Sequence, residues 1–333
     1  MDKIERMKAV FRGEKPDVTP AGFWFHYNGA DSPAQMAENH LSLYRETGMD
    51  VIKVMQDYPY PRMAEVQTPS DWHKLRMPGR ESAEYRRLEE VLKRILDGSH
   101  GEAMVFQTMF GPFKSTVMQF GDARVMAHAR ENPAAVAEGV RAVAESLAEW
   151  AAGFLEAGAS GLYYTAQFGE VGRFSDEEWE TLVKPSDLMM LDAAAKCGGK
   201  YNILHICGEP EYRFRVHLER FRDYPGDIVN WSVKDNGLSL EDGRALFRRP
   251  VLGGMNNKGN LISGTEAEVR AEAEGLIRSF RAGGLHAGRR LHGAGENFRR
   301  QYPGGGGSGP QFPGIGGRKN GASRTGSGVA GRP

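Results

Sequence analysis

Seven short apolar runs alternate with amphipathic stretches along this chain, a pattern that predicts an α/β fold with a parallel sheet. We read it as a TIM (β/α)8 barrel that lacks a proper eighth β/α unit. Three observations lead there. The runs recur about every 35 residues, which suits a barrel of about 250 residues or more. No glycine-rich phosphate loop follows the first run, which weighs against the runner-up, a doubly wound sheet. The alternation also stops near Gly284, where the composition changes.

Residues 20–27 (PAGFWFHY) read as the first strand and 32–46 as a helix. A second strand at 50–55 (DVIKVM) ends in Gln56-Asp57-Tyr58-Pro59, and a helix covers 82–96. After a third strand at 103–108, Asn132 and Pro133 open the clearest helix, as N-cap and first helical residue. Its Val136, Val140, Val143, Leu147, Trp150 and Phe154 form one apolar stripe, and Gly158 ends it. The fourth strand is 161–165. A capping box, Ser175 with Glu178, then opens a helix to Lys196 that Pro185 is expected to kink. The fifth strand closes on His205-Ile206-Cys207. The sixth covers 227–233, with Trp231 in the core, and a helix follows at 239–247. The seventh strand covers 250–255, and Thr265 with Glu268 opens a last helix to about Phe280.

Composition narrows the function classes. The 333 residues are 26% charged and 40% hydrophobic with zero formal net charge, so no basic field argues for nucleic acid. No apolar run approaches the roughly 18 residues of a membrane span. The N-terminus is charged and amphipathic without the apolar core of a signal peptide. With only two cysteines, Cys197 and Cys207, a disulfide framework is not expected, and the cytoplasm is the default compartment.

Two regions follow: 1–283 as the barrel and 284–333 as a Gly/Arg-rich tail. The tail holds 16 of the 43 glycines and eight Lys/Arg against one acid, Glu296, and taken as written it is a disordered basic segment. We read it instead as out of frame. One legal back-translation of residues 284–307, read one base later, gives GFMLGADCTVPGKISAANIRAAVE. That is an apolar strand, a cysteine at its end, and a capped amphipathic helix, which together make the missing eighth unit.

His205 and Cys207 are the residues most suggestive of chemistry. Residues two apart on a strand point to one side, so an imidazole and a thiolate meet at a strand end. That is a donor pair zinc prefers, and a catalytic zinc takes about three protein ligands. Cys197, after a helix and before Gly198, reads as a helix-end residue without a functional role.

LHICG at 204–208, VNWSVKD at 229–235, PVLGGMNNKGNLISGT at 250–265 and KPSDLMMLD at 184–192 resemble the uroporphyrinogen decarboxylase superfamily. The resemblance covers about 85% of the chain and implies a barrel with its pocket at the C-terminal strand ends. True uroporphyrinogen decarboxylases carry an Arg-Gln-Ala-Gly-Arg-Tyr signature after the first strand, whose arginines hold substrate carboxylates. Here that place reads Trp24-Phe25-His26-Tyr27-Asn28-Gly29, without an arginine. The chain is more similar to the branch of corrinoid-dependent methyltransferases, which bind zinc through His-x-Cys on the fifth strand and a Cys after the eighth. His205 and Cys207 match the first part, and only the alternative frame supplies the second.

This resemblance implies methyl transfer from a methylated cobamide, carried by a corrinoid protein, to a small thiol activated on zinc. The alternatives are a porphyrinogen decarboxylase that needs no metal and an inactive product of a damaged gene. Asp57 stands roughly where the family has a catalytic aspartate, and it also suits the start of the Tyr58-Pro59 turn. His26, near the end of the first strand, is a candidate to orient substrate. Tyr164 and Gln167 by the fourth strand, and Asn256 and Asn257 after the seventh, are candidates to line the pocket. Sequencing the DNA around codons 278–290 is expected to reveal an indel relative to close relatives; an intact frame there removes the out-of-frame reading.

Overall fold

The computed structural model describes residues 1–27, 30, 32–198 and 201–282. Its elements, in chain order, are α1 (Lys3–Phe11), α2 (Pro33–Thr47), β1 (Val51–Val54), α3 (Ala83–Gly98), β2 (Met104–Phe110), α4 (Pro112–Phe120), α5 (Asp122–Glu131), α6 (Pro133–Glu156) and β3 (Gly161–Ala166). They continue as α7 (Asp176–Glu178), a π-turn (Trp179–Val183), α8 (Lys184–Lys196), β4 (Ile203–Ile206), β5 (Ile228–Trp231), α9 (Val233–Asn236), α10 (Leu240–Phe247), β6 (Val251–Leu252), α11 (Asn260–Ser263) and α12 (Glu266–Ala282). The residues of the tail, with the proposed eighth unit, lie outside this described set.

All strand pairs are parallel and the sheet order is β1-β2-β3-β4-β5-β6. Strands adjacent in sequence are adjacent in space, which is barrel winding; a doubly wound sheet reverses its order at a switch point. The fold is therefore α/β, with six strands curled into an incomplete barrel.

Both faces of the arc are buried, as a parallel sheet requires. On the outer face Ile52, Val54, Val105, Leu162, Leu204 and Val229 pack against the helices. On the inner face Met104, Phe106, Tyr163, Ile203 and Ile228 form a second cluster. Met7, Val10 and Phe11 of α1 join that cluster, so the N-terminal helix plugs the inner face. Arg6 locks the plug in place through Asp17 (2.8 Å) and Asp50 (2.5 Å).

Local signals explain most element ends. Ser32, Ser82 and Asn132 accept from the backbone N–H three residues on, as N-caps do. The boxes at Ser175/Glu178 and Thr265/Glu268 close reciprocally. The kink expected at Pro185 takes the form of the π-turn: Lys184 N–H bonds to Trp179 O, and Pro185 then sits in the first turn of α8.

Two sequence expectations change. Residues 20–27 form no strand ladder. Asp50 N donates to Ala21 O (2.8 Å), but Ala21 N goes to the Asp50 carboxylate (2.8 Å) and Phe23 N to the Met49 sulfur (3.4 Å). Side chains at the start of β1 thus take the donors that a seventh strand would have used. The strand expected at 250–255 shrinks to two residues because Gly253 and Gly254 adopt φ of 142° and 120°. Helices α4 and α5, which the sequence reading left unassigned, are divided by Gly121 at φ 85°.

Behind the sheet lies a buried acid. Asp187 of α8 accepts hydrogen bonds from Tyr164 (2.5 Å) and Tyr224 (3.1 Å). Burial pushes its carboxyl up to about 7, with the two phenols opposing. In the unfolded chain the group ionises near 4, its ordinary value. The folded chain holds the proton longer, so this contribution to stability is full below about pH 4, falls as pH rises to about 7, and is flat above. Thermal melts of the wild type are expected to lose several degrees across that window, and Asp187→Asn, which cannot ionise, to flatten the loss. Parallel profiles for the two proteins would contradict this assignment.

Candidate active site

The inner face changes character along the strands. Its lower part is the apolar cluster over α1, and its upper part carries Lys53, His205 and, just past β4, Cys207. Alternation sets this up. Ile203 of β4 belongs to the inner cluster while Leu204 and Ile206 pack outward, so His205 turns inward. The ring contact between His205 and Tyr163, with centroids 5.6 Å apart, places the imidazole on that face.

The register pairs His205 with Asn230 of β5. Asn230 Nδ2 donates to Leu252 O (2.7 Å), which aims its Oδ1 at the two donors that remain. Tyr163 donates to that oxygen (3.1 Å), and so does His205 Nδ1. The proton of His205 is therefore on Nδ1, and Nε2 carries a free lone pair. Burial, with Lys53 adding to it, pushes the imidazole down to about 3, so it is neutral at physiological pH.

Cys207 continues the β4 ladder by donating its N–H to Ala166 O (2.9 Å). Burial pushes its thiol up to about 11, Glu209 in the same direction, and Lys114 and Lys53 oppose. Left alone, the sulfur stays a thiol. The turn beyond it needs a glycine, because a Cβ on Gly208 would meet the Phe214 backbone at 2.8 Å. A buried network then holds the loop. Glu209 accepts from Lys114 (2.5 Å) and Gln167 (2.7 Å), and its own N–H donates to Glu170 (3.1 Å).

Gln167 thus serves to anchor the Cys207 loop. Tyr164 stands on the opposite face from the trough: its ring is fully buried among the helices and its hydroxyl is committed to Asp187. Asn256 accepts from Lys258 N (3.0 Å) and donates its own N–H to Glu272 (3.2 Å), so it shapes a turn against α12, while Asn257 beside it is exposed.

His26 and Asp57 do come together. Asp57 Oδ1 meets His26 Nδ1 at 2.6 Å, and Oδ2 accepts the N–H of Tyr27 at 2.7 Å. The carboxylate side chain is 3% exposed and the imidazole 50%, a buried acid orienting a ring that faces outward to solvent. Cys197 caps the C-terminus of α8 and is exposed, and Trp231 is core against Phe247.

Sequence reading missed two inner-face residues. Lys53 of β1 is 7% exposed, with its ammonium over Trp24 (4.5 Å) and Tyr163 (4.1 Å). Burial pushes that ammonium down to about 7. Asn230 is 6% exposed. Each is a polar residue inside an otherwise apolar strand, the one signal that could have marked it. Among the described residues no three His, Cys, Asp or Glu side chains converge as a metal-binding group. His205 and Cys207 remain a pair of donors, and the third ligand proposed from the alternative frame lies outside the described residues.

Comparison with known proteins sets this geometry in context. A family model, uroporphyrinogen decarboxylase (URO-D), matches residues 40–288. No curated protein matches the chain. Among solved structures, a methyltransferase from Methanosarcina mazei superimposes with a TM-score of 0.69 at 16% identity, covering 89% of this chain and 96% of its own. A B12-independent methionine synthase from Shewanella sp. W3-18-1, in complex with selenomethionine, matches with a TM-score of 0.52 at 13% identity, over 80% and 83% of the two chains. At these identities the likeness is one of fold. No helix among the described residues is long and apolar enough to cross a membrane.

The neutral, Nδ1-protonated state of His205 is open to direct observation. Its ring nitrogen resonances are expected to stay constant from roughly pH 5 to 8 with the proton on Nδ1, and Asn230→Leu to release the tautomer. A titration of His205 with a midpoint near the ordinary 6.5 would contradict the assignment.

Proposed function

We infer that this chain, which belongs to the uroporphyrinogen decarboxylase family, acts on the methyltransferase side of that family and passes a methyl group from a methylated corrinoid protein to a small thiol. The observation that carries the reading is the hydrogen bond of His205 Nδ1 to Asn230, which leaves the lone pair on Nε2, on the inner face that also carries Cys207. Metal-binding histidines are oriented in this way, with the distal nitrogen tied to an oxygen acceptor.

The donor set fits zinc as two of its three protein ligands. His205 Nε2 and the Cys207 sulfur would hold the ion, with the third ligand contributed by the eighth unit read in the alternative frame. Zinc bound there supplies a thiolate at neutral pH, where a free thiol with a pKa near 8.5 is mostly protonated. The chain's own residues do the rest. Burial and Lys53 keep the imidazole neutral, and Asn230 fixes its tautomer and holds it inward. The Lys114–Glu209–Gln167 network sets where the Cys207 sulfur sits. Lys53 contributes positive charge beside the donors. His26, held by Asp57, is the candidate to orient substrate from the solvent-facing side. The Methanosarcina protein and the methionine synthase are both methyl-transfer proteins by name, and their shared arc supports this side of the family.

Porphyrinogen decarboxylation is the weaker reading. A substrate with several carboxylates wants several arginine forks, and residues 24–27 supply none.

Elemental analysis tests the proposal. The chain with its eighth unit restored is expected to bind one zinc, and His205→Ala and Cys207→Ser to lose it. Asn230→Leu, which leaves both ligands in place, is expected to weaken zinc by about 10–100-fold. A restored protein that binds no divalent ion, or that decarboxylates porphyrinogens without metal, would overturn the reading.

A further inference from the structure

We propose that the Lys53 ammonium is the seat for the carboxylate of a small acidic ligand in the trough. This gives the site a selectivity for acids that the methyl-transfer reading does not itself supply. Lys53 is enclosed by its own strand, whose Ile52 and Val54 are buried on the outer face, and by Trp24 and Tyr163, whose rings lie 4.5 Å and 4.1 Å from its nitrogen. Ring faces attract a cation but give poor acceptors to its three N–H groups. Among the described residues no carboxylate or carbonyl accepts a hydrogen bond from it. The acid that acts on it, Asp57, is already committed to His26 and the Tyr27 N–H. A buried ammonium without an anion is costly, and an entering anion relieves that cost.

The position also sets the size of the ligand. From the ammonium to the Tyr163 ring is 4.1 Å, and from that ring to the His205 ring is 5.6 Å. A carboxylate on Lys53 therefore leaves the imidazole within reach of the other end of a short aliphatic chain. One ammonium balances one negative charge, which favours a monocarboxylate over a phosphate. A mercapto acid joins the two ends, carboxylate on Lys53 and sulfur toward His205 and Cys207. The sulfur end rests on the methyl-transfer reading; the carboxylate end stands without it.

Calorimetric titration of the full chain at fixed low ionic strength tests this with four probes: propionate, 1-propanol, 3-mercaptopropionate and 3-mercapto-1-propanol. The wild type is expected to bind each acid more tightly than its alcohol. Lys53→Met and Lys53→Gln are expected to weaken the acids by about tenfold, the loss of a hydrogen bond to a charged group, and to leave the alcohols unchanged. Equal binding of propionate and 1-propanol to the wild type overturns the proposal and needs no variant, so a misfolded substitution does not shield it. Acid binding that persists in both folded variants also overturns it. Propionate binding that depends on Lys53 supports the seat whatever a thiol adds to either probe; the zinc–thiol reading fails separately, if the chain with its eighth unit restored binds no zinc.

Discussion

One amide governs the chemistry available to this chain. Asn230 has a single side-chain oxygen, and it receives both the Tyr163 hydroxyl and the His205 ring nitrogen because its NH2 is spent on Leu252 O. The arrangement follows from the parallel register that sets His205 opposite Asn230. Four neighbouring strands, β3 to β6, are tied together through this amide, where an unpaired polar atom would be expensive. The same bonds decide which imidazole nitrogen offers a lone pair. Reversing the amide would set its oxygen against the Leu252 carbonyl, acceptor against acceptor, so the fold tolerates only one orientation.

The trough keeps its ionisable groups near neutrality by desolvation. The imidazole is pushed down, the thiol up and the ammonium down, each toward its uncharged form. Such a site holds potential donors without forming internal ion pairs that would block them. The charge that does pair lies just outside, in the Lys114–Glu209 contact with Gln167, and it serves to fix the loop carrying Cys207. Separating a rigid charged anchor from a neutral donor pair means that the anchor can be strong without competing for what enters the trough.

Much of this was legible in the chain, and the failures share one cause. The apolar runs at β1 through β5, the cap at Asn132, and the two boxes are local signals, and the structure reproduces them. His205 and Cys207 were visible because two metal-type donors at a spacing of two are rare in an apolar run. Tyr164 was assigned to the pocket wall, and it lies in the helix layer. In a strand buried on both faces, hydrophobicity does not alternate, so parity cannot be read from residue type. Only the neighbours decide: Tyr163 meets Trp24 and His205, whereas Tyr164 meets Asp187. Lys53 and Asn230 stand out by residue type in apolar strands, but residue type alone does not say which face they take. The segment at 20–27 has strand composition, but two side chains at the start of β1 intercept its donors, which is a tertiary event.

The location of the site also follows from packing rather than from convention about barrels. Helix α1 fills the inner face from below with Met7, Val10 and Phe11, so Met104, Phe106, Ile203 and Ile228 find apolar partners there and leave no room for a ligand. At the upper end, where Lys53, His205 and Cys207 stand, Trp24 covers Lys53 in place of a helix. Loops such as the one after Cys207 begin at that same end, since parallel strands all point the same way. Direction of the strands and position of the plug together separate an apolar end of this sheet from the end that carries Lys53, His205 and Cys207.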